Sequence, residues 1–361
     1  MTKHLLAAAA LIALASPSFA QDEEQTAPSP NEIIAAAPSS AWIAIDPEDL
    51  VVMRLAPDRD GNDRTVVMQL MPAPFSQGWI ENIRTLARAK YWDGSMVLRV
   101  QDNYVVQWGQ PDPEMGVEPK PVPAGLNVVP ESDFVATGLL SIPDPRGRPR
   151  FNYTLGAIMM RLAMTAADGG IQLPEEFADY DPDEDELPKL PGPQIGDQYA
   201  SFASIWNGWP IAGALGGEEN SFWPIHCYGM VGVGRNMSPD TGDGSQLYTV
   251  IGHAPRHLDR NIALVGRIIS GIEHLSSLPR GKGPLGFYED AEKRVPIEWV
   301  RVASDLPEGE RPAFEYFDTA TEDFARYADA RANRRDPFFN VPAGGADVCN
   351  IPVPVRAVAG D

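Results

Sequence analysis

The stretch from Tyr228 to Gly266, YGMVGVGRNMSPDTGDGSQLYTVIGHAPRHLDRNIALVG, leaves the chain few ways to fold. It opens with Met230, Val231 and Val233 set among glycines, the pattern of a strand that a neighbour approaches closely, because glycine lacks the Cβ that would block it. Asn236 to Gly244 then gathers Asn, Ser, Pro, Asp and Gly into a tight polar loop whose backbone visits positive φ. Gln246 to Ile251 returns as a β-branched and aromatic strand, and Ile262 to Val265 reads as another. Composition points the same way: 35 prolines and 32 glycines in 361 residues favour turns and long ordered loops over a helical bundle.

The N-terminal half repeats the theme. Trp42 to Ile45, Leu50 to Leu55 and Thr65 to Leu70 are short apolar or alternating runs divided by Asp, Pro, Gly and Asn, so they read as three strands of one antiparallel sheet. The period then changes, and Ile80, Ile83, Leu86 and Ala87 predict an amphipathic helix over residues 77–90. Met96 to Val100 is a strand that holds Arg99, Gln101 to Asn103 is a turn, and Tyr104 to Gly109 is the next strand. Strand alternation puts Val105 and Gln107 on one face and Tyr104 and Val106 on the other.

Taken together, these segments resemble the cyclophilins, the β-barrel family of peptidyl-prolyl cis-trans isomerases. The elements that carry the resemblance are Ala73-Pro74 before the helix, the Tyr91-Trp92-Asp93-Gly94 corner, Gly244-Ser245-Gln246 with Tyr248, Leu258-Asp259, and Gly266 at the end of a strand. The resemblance implies a mainly β fold, an eight-stranded antiparallel barrel capped by two helices, the second over residues 268–278 and the closing strand over 295–303. It also implies a proline pocket in which Arg99 and Gln107 are catalytic. Tyr104, Val105, Gly234, Arg235, Gln246, Tyr248, His257 and Leu258 would bind substrate. Several positions differ from the family in kind: Tyr248 stands where Phe is usual, His257 where Trp or another large residue is, and Ile262 where His or Tyr is common.

The chemistry of such a pocket needs no nucleophile, metal or cofactor. Rotation about an X-Pro bond meets a barrier of ~20 kcal/mol because the nitrogen lone pair is delocalised into the carbonyl. A donor that bonds the prolyl nitrogen only once planarity is lost stabilises the transition state over the ground state. Arg99 is the residue type for that task, and a charged hydrogen bond of about 1.5 to 3 kcal/mol corresponds to about ten- to a hundredfold in rate. A proline-peptide binding or chaperone module without turnover is the alternative. A hydrolase lacks a legible nucleophile elbow or Ser, His and Asp order.

Other features bound location and partners. Lys3 and His4, the apolar run Leu5 to Ala15 and the small residues before Gln21 predict a secretory signal peptide over 1–20, cleaved after Ala20. A periplasmic protein is therefore expected, without stable membrane insertion, since the apolar run is shorter than the ~20 residues of a spanning helix. A net charge of −21 repels phosphate backbones, which argues against nucleic acid; the expected partners are proline-containing polypeptides. Cys227 and Cys349, an even pair in an exported chain, are expected to form a disulfide closing a loop of about 120 residues, with two separate buried thiols as the alternative.

The expected organisation is a linker over 21–40, a barrel domain over 41–303 interrupted by an insertion at 113–226, and a C-terminal extension over 304–361. Within the insertion, residues 153–164 suggest a helix, residues 179–186 a solvated acidic loop rather than a calcium site, and Phe202, Trp206, Trp209, Phe222 and Trp223 a surface that packs on the barrel or binds something. His226, His253 and His257 make a metal site conceivable, but Gly252 and Pro255 place the latter two on a loop rather than on a helix face. In the extension, Thr321 to Arg334 reads as a helix, with acidic residues early and arginines late as the dipole favours.

Overall fold

A computed structural model describes residues 27–111, 118–137, 197–214 and 220–358 of the chain. The expected signal peptide, the helix suggested over 153–164 and the acidic loop at 179–186 lie outside the described residues. Eight strands close into an antiparallel barrel: β2 (Leu50–Leu55), β3 (Arg64–Leu70), β4 (Met96–Val100), β5 (Val105–Gly109), β10 (Met230–Val233), β11 (Leu247–Val250), β12 (Leu264–Ser270) and β13 (Val295–Val302). Around the wall they run β10-β11-β5-β4-β13-β2-β3-β12. The fold expected from the sequence is the one observed.

Alternation decides what fills the barrel. Inward residues Val51, Met53, Val66, Met68, Trp108, Leu247, Ile268 and Val300, with Ile83 and Trp92 from above, leave an internal space of only about 20 Å³. A barrel packed in this way has no room for a ligand, so binding falls to its outer wall. The α-helix α2 (Gln77–Arg88) closes one end with Trp79, Ile80, Ile83, Leu86 and Ala87. The second cap is shorter than the sequence suggests. Residues 268–270 stay in β12, and the helix α3 is the single turn Glu273–Ser276, because the strand continues pairing with β3 as far as Ser270.

Two further sheets cover parts of the outer wall. The first strand, β1 (Trp42–Ala44), does not join β2 and β3 as expected. It pairs instead with β14 (Phe314–Phe317), which pairs with β15 (Val355–Ala357), so the segment before the barrel and the extension after it form one sheet. Its Tyr316 packs with Ile45, Leu50, Val52, Val67 and Ala303, which covers the outward side chains of β2 and β3. The stretch expected to be a linker contains the helix α1 (Pro30–Ala36), with a Ser29–Glu32 capping box, and it contacts α4 (Glu322–Ala332). Thr321 caps α4 through Phe324 N–H.

The described part of the insertion forms a four-stranded sheet, β6 (Ala136–Thr137), β7 (Phe202–Trp206), β8 (Trp209–Ala214) and β9 (Ser221–Pro224), in the order β6-β9-β8-β7. Its aromatics are buried rather than displayed. Trp206 meets Phe75 edge-on at 5.6 Å, and the Arg267 guanidinium of β12 sits 4.5 Å from the Trp209 ring. Arg267 also donates to Gln69 Oε1 and to Gly208 O, at 3.0 and 2.7 Å, which fastens the β7–β8 turn to the barrel. Cys227 and Cys349 are bonded to each other across 122 residues of sequence.

Candidate functional site

With β2 and β3 under the terminal sheet and Arg267 of β12 under the insertion, the outer faces of β4, β5 and β11 stay open. There lies a groove of about 820 Å³. Its apolar part belongs to a small cluster separate from the main core: Val105 and Tyr248, backed by Val250, with Tyr104, Leu258 and Ile262 packed against them. The strands put these residues side by side, since β11 pairs with β5 in a register that sets Tyr248 opposite Gln107 and Val250 opposite Val105.

A bulge aims the charged residue. In β4 the register against β5 shifts between Val97 and Arg99, so Val97 opposes Trp108 while Arg99 opposes Gln107. Strict alternation would put Leu98 and Arg99 on opposite faces; the extra residue lets both line the groove and returns Val100 to the core. Arg99 is then held by three acceptors: Leu285 O at 2.6 Å from Nε, Gln107 Oε1 at 3.2 Å from Nη1, and Gln101 Oε1 beside Nη2. Tyr104 and Phe287 rings lie 5.6 Å from its guanidinium carbon. Burial pulls its pKa below the usual arginine value, against the pull of Tyr104 and Tyr248, and an arginine so shifted remains a cation at neutral pH.

The other expected site residues are distributed as follows. Tyr104 lines the groove together with Val105 and Gln107 rather than facing away, because it belongs to the turn and β5 begins only at Val105. Gly234, Arg235, Gln246 and Leu258 line the groove as well. Arg235 is tied to Asn261 O and Asn236 O, at 2.8 and 2.7 Å, and Gln246 donates to Gln110 O at 2.6 Å. His257 is exposed and stacks on Tyr104 with ring centroids 6.3 Å apart, so it braces a wall from outside the groove.

Sequence reasoning missed several lining residues. Leu285 and Phe287 come from the segment after α3, which is laid along β4 by Gly281 N–H to Val100 O and Tyr288 N–H to Leu98 O, at 2.9 and 3.0 Å. Asn127, Val128 and Val129 come from the insertion, held on α2 by paired Asn82–Asn127 hydrogen bonds of 3.0 and 2.7 Å and on the polar loop by Thr241 Oγ1 to Val129 O at 2.6 Å. No local signal marks either segment, since each reaches the groove only through long-range pairing.

Both ring nitrogens of His226 have protein partners. It is buried between Asp259, 2.8 Å from Nδ1, and the Tyr248 hydroxyl, 2.9 Å from Nε2. Among the described residues no group of three His, Cys, Asp or Glu side chains is placed to hold a metal ion.

Comparisons with known proteins bear on the family and the fold. Residues 183–302 match the family model described as cyclophilin type peptidyl-prolyl cis-trans isomerase. No curated protein matches the chain. Among solved structures, the cyclophilin AquaCyp293 from Hirschia baltica is similar in fold, with a TM-score of 0.56 at 20% identity over 89% of this chain and 94% of that one. A Cryptosporidium parvum cyclophilin type peptidyl-prolyl cis-trans isomerase, solved in the presence of the dipeptide Ala-Pro, aligns with 69% of this chain and 97% of its own at 11% identity, with a TM-score of 0.31. The family match covers residues 183–302, which include the last four barrel strands, and the strands close as the resemblance implied, so the chain has a cyclophilin-like fold and a segment that matches the cyclophilin-type peptidyl-prolyl cis-trans isomerase model.

Proposed function

We propose that the protein isomerises X-Pro bonds of exported polypeptides and so assists their folding, with Arg99 and Gln107 as its catalytic pair. The observation that carries this reading is the placement of the Arg99 guanidinium, paired with Gln107, on the same groove as the Val105, Tyr248 and Val250 cluster. A pyrrolidine ring is small and apolar and suits such a recess. A fixed cation above it is the donor that a pyramidal prolyl nitrogen requires. Gln107 accepts from Nη1, which orients the guanidinium plane, and Leu285 O fixes it from the other side. The charge is therefore in place before the substrate arrives, and no reorganisation is needed at the barrier top.

Action outside the cytoplasm is supported by the leader-like N-terminal sequence and by the Cys227–Cys349 bond, a linkage that persists in oxidising compartments. Among the described residues no helix is long and apolar enough to cross a membrane.

One observation favours a second reading, a proline-peptide binding module without turnover. Three of the guanidinium N–H groups of Arg99 already have protein acceptors, which leaves fewer for the prolyl nitrogen. A peptide isomerisation assay on the native chain and on Arg99→Ala separates the two. Catalysis predicts a loss of about ten- to a hundredfold in kcat/KM with the fold intact. Equal rates for both proteins would leave only the binding module.

A further inference from the structure

The floor of the recess is connected to a buried polar chain that the proposed reaction does not use. Tyr248 Oη meets His226 Nε2 at 2.9 Å, His226 Nδ1 meets Asp259 Oδ1 at 2.8 Å, and Arg256 bridges Asp259 Oδ2 and Asp197 Oδ2 with two contacts of 2.6 Å. The His226 backbone N–H also donates to Asp259 Oδ1, at 3.1 Å. His226 and Asp197 belong to the insertion, while Tyr248, Arg256 and Asp259 belong to the barrel. The chain of contacts therefore runs from the inserted segment to the substrate recess.

Its direction follows from donor and acceptor chemistry. Asp259, bonded to a guanidinium on one oxygen, is a carboxylate and can only accept, so His226 Nδ1 carries the proton. Burial holds the imidazole neutral, outweighing the pull of Asp259, and Nε2 is then a bare acceptor. The Tyr248 hydroxyl must donate to it. The phenol proton is thereby directed away from the groove, and the ring presents only its apolar surface to a bound proline. Space for this arrangement comes from Gly232, whose added Cβ would lie 2.3 Å from Tyr248 Oη. A buried phenol without its acceptor would be unsatisfied, and the groove that Tyr248 lines is the space open to solvent beside it.

We propose that His226, oriented by Asp259, is a positioning residue that keeps the Tyr248 hydroxyl turned away from the recess, so that the inserted segment sets affinity for the prolyl ring. This rests on the isomerase reading. Loss of the acceptor swings the ring toward the groove and narrows the seat for proline, which raises KM and leaves the Arg99 chemistry in place.

The test is a double-mutant cycle on the full chain, with His226→Ala and Tyr248→Phe made singly and together, followed by kcat and KM for a proline tetrapeptide and by the Kd of the same peptide. In the Tyr248 background His226→Ala raises KM and Kd about tenfold with kcat within twofold. In the Tyr248→Phe background, where there is no hydroxyl to hold, the same change moves KM less than twofold. His226→Gln, which restores an acceptor, recovers most of the affinity. Equal KM increases in both backgrounds, or none with Tyr248 present, would overturn the inference. Should His226→Ala not fold, ring nitrogen shifts of His226 in the native chain decide: a protonated Nδ1 and bare Nε2 are expected, and the opposite tautomer refutes the arrangement. A chain that binds the peptide without turning it over still yields the cycle in Kd; one that does neither removes the isomerase reading and this inference with it.

Discussion

At the scale of single residues, the site depends on small differences in direction. Arg99 faces the groove because one extra residue sits in β4, and the Tyr248 hydroxyl reaches His226 because Gly232 leaves it a berth. Gly232→Ala is expected to destabilise the protein by about 1 to 3 kcal/mol through overpacking and to weaken proline-peptide binding, measured by denaturant unfolding and peptide titration. The buried imidazole of His226 carries a pH dependence whose sign is fixed. Burial lowers its folded-state pKa despite Asp259, with His257 and Arg256 adding to the lowering, so the unfolded chain takes up a proton first as pH falls below about 6.5. Stability is therefore full above that value and is lost toward the depressed folded value. Unfolding midpoints from pH 8 to about 5 check this, and His226→Gln should flatten that part of the profile.

At the scale of elements, the inserted sheet is a fastened cover. Arg267 is buried in β12, its pKa pushed down to about 10 by burial, and its donors reach Gln69 and the β7–β8 turn. Replacing it by alanine strands the Gly208 carbonyl and Gln69 and removes the cation from the Trp209 face. A loss of about 2 to 4 kcal/mol follows, read as a lower Tm, while kcat stays near the native value because Arg267 does not line the groove. The aromatic run from Phe202 to Trp223 was legible as something that needs a partner, but not which one. Aromatics between Gly and Pro look alike whether they pack on a barrel or on a ligand, and only the contacts with Phe75 and Arg267 decide it.

For the whole molecule, the described segments before and after the barrel close on each other. Trp42 pairs with Phe317, α1 lies against α4, and the Cys227–Cys349 bond ties the tail to the segment leading into β10. Reduction should cost about 4 to 5 kcal/mol, as expected for closing a loop of this length in the unfolded chain. The comparison is between chemical unfolding with and without a thiol reductant; a shift of less than 1 kcal/mol would mean that the tail docks without it. The terminal sheet and the inserted sheet each cover a side of the barrel, and the open side holds the groove. Among the described residues neither sheet lines the groove, yet together they leave one wall for the substrate.

Alternation of apolar and polar side chains, glycine and proline at the turns, and the spacing of Ile80, Ile83, Leu86 and Ala87 are local properties, so the strands, the helix and the residue types of the recess could be read from the sequence. The bulge at Leu98, the transfer of β1 to the terminal sheet, the shortening of α3, and the arrival of Leu285, Phe287 and Val129 at the groove could not. Each depends on which distant strand or segment is paired alongside. The free energy of that pairing is shared between partners far apart in the chain, and neither partner records it alone.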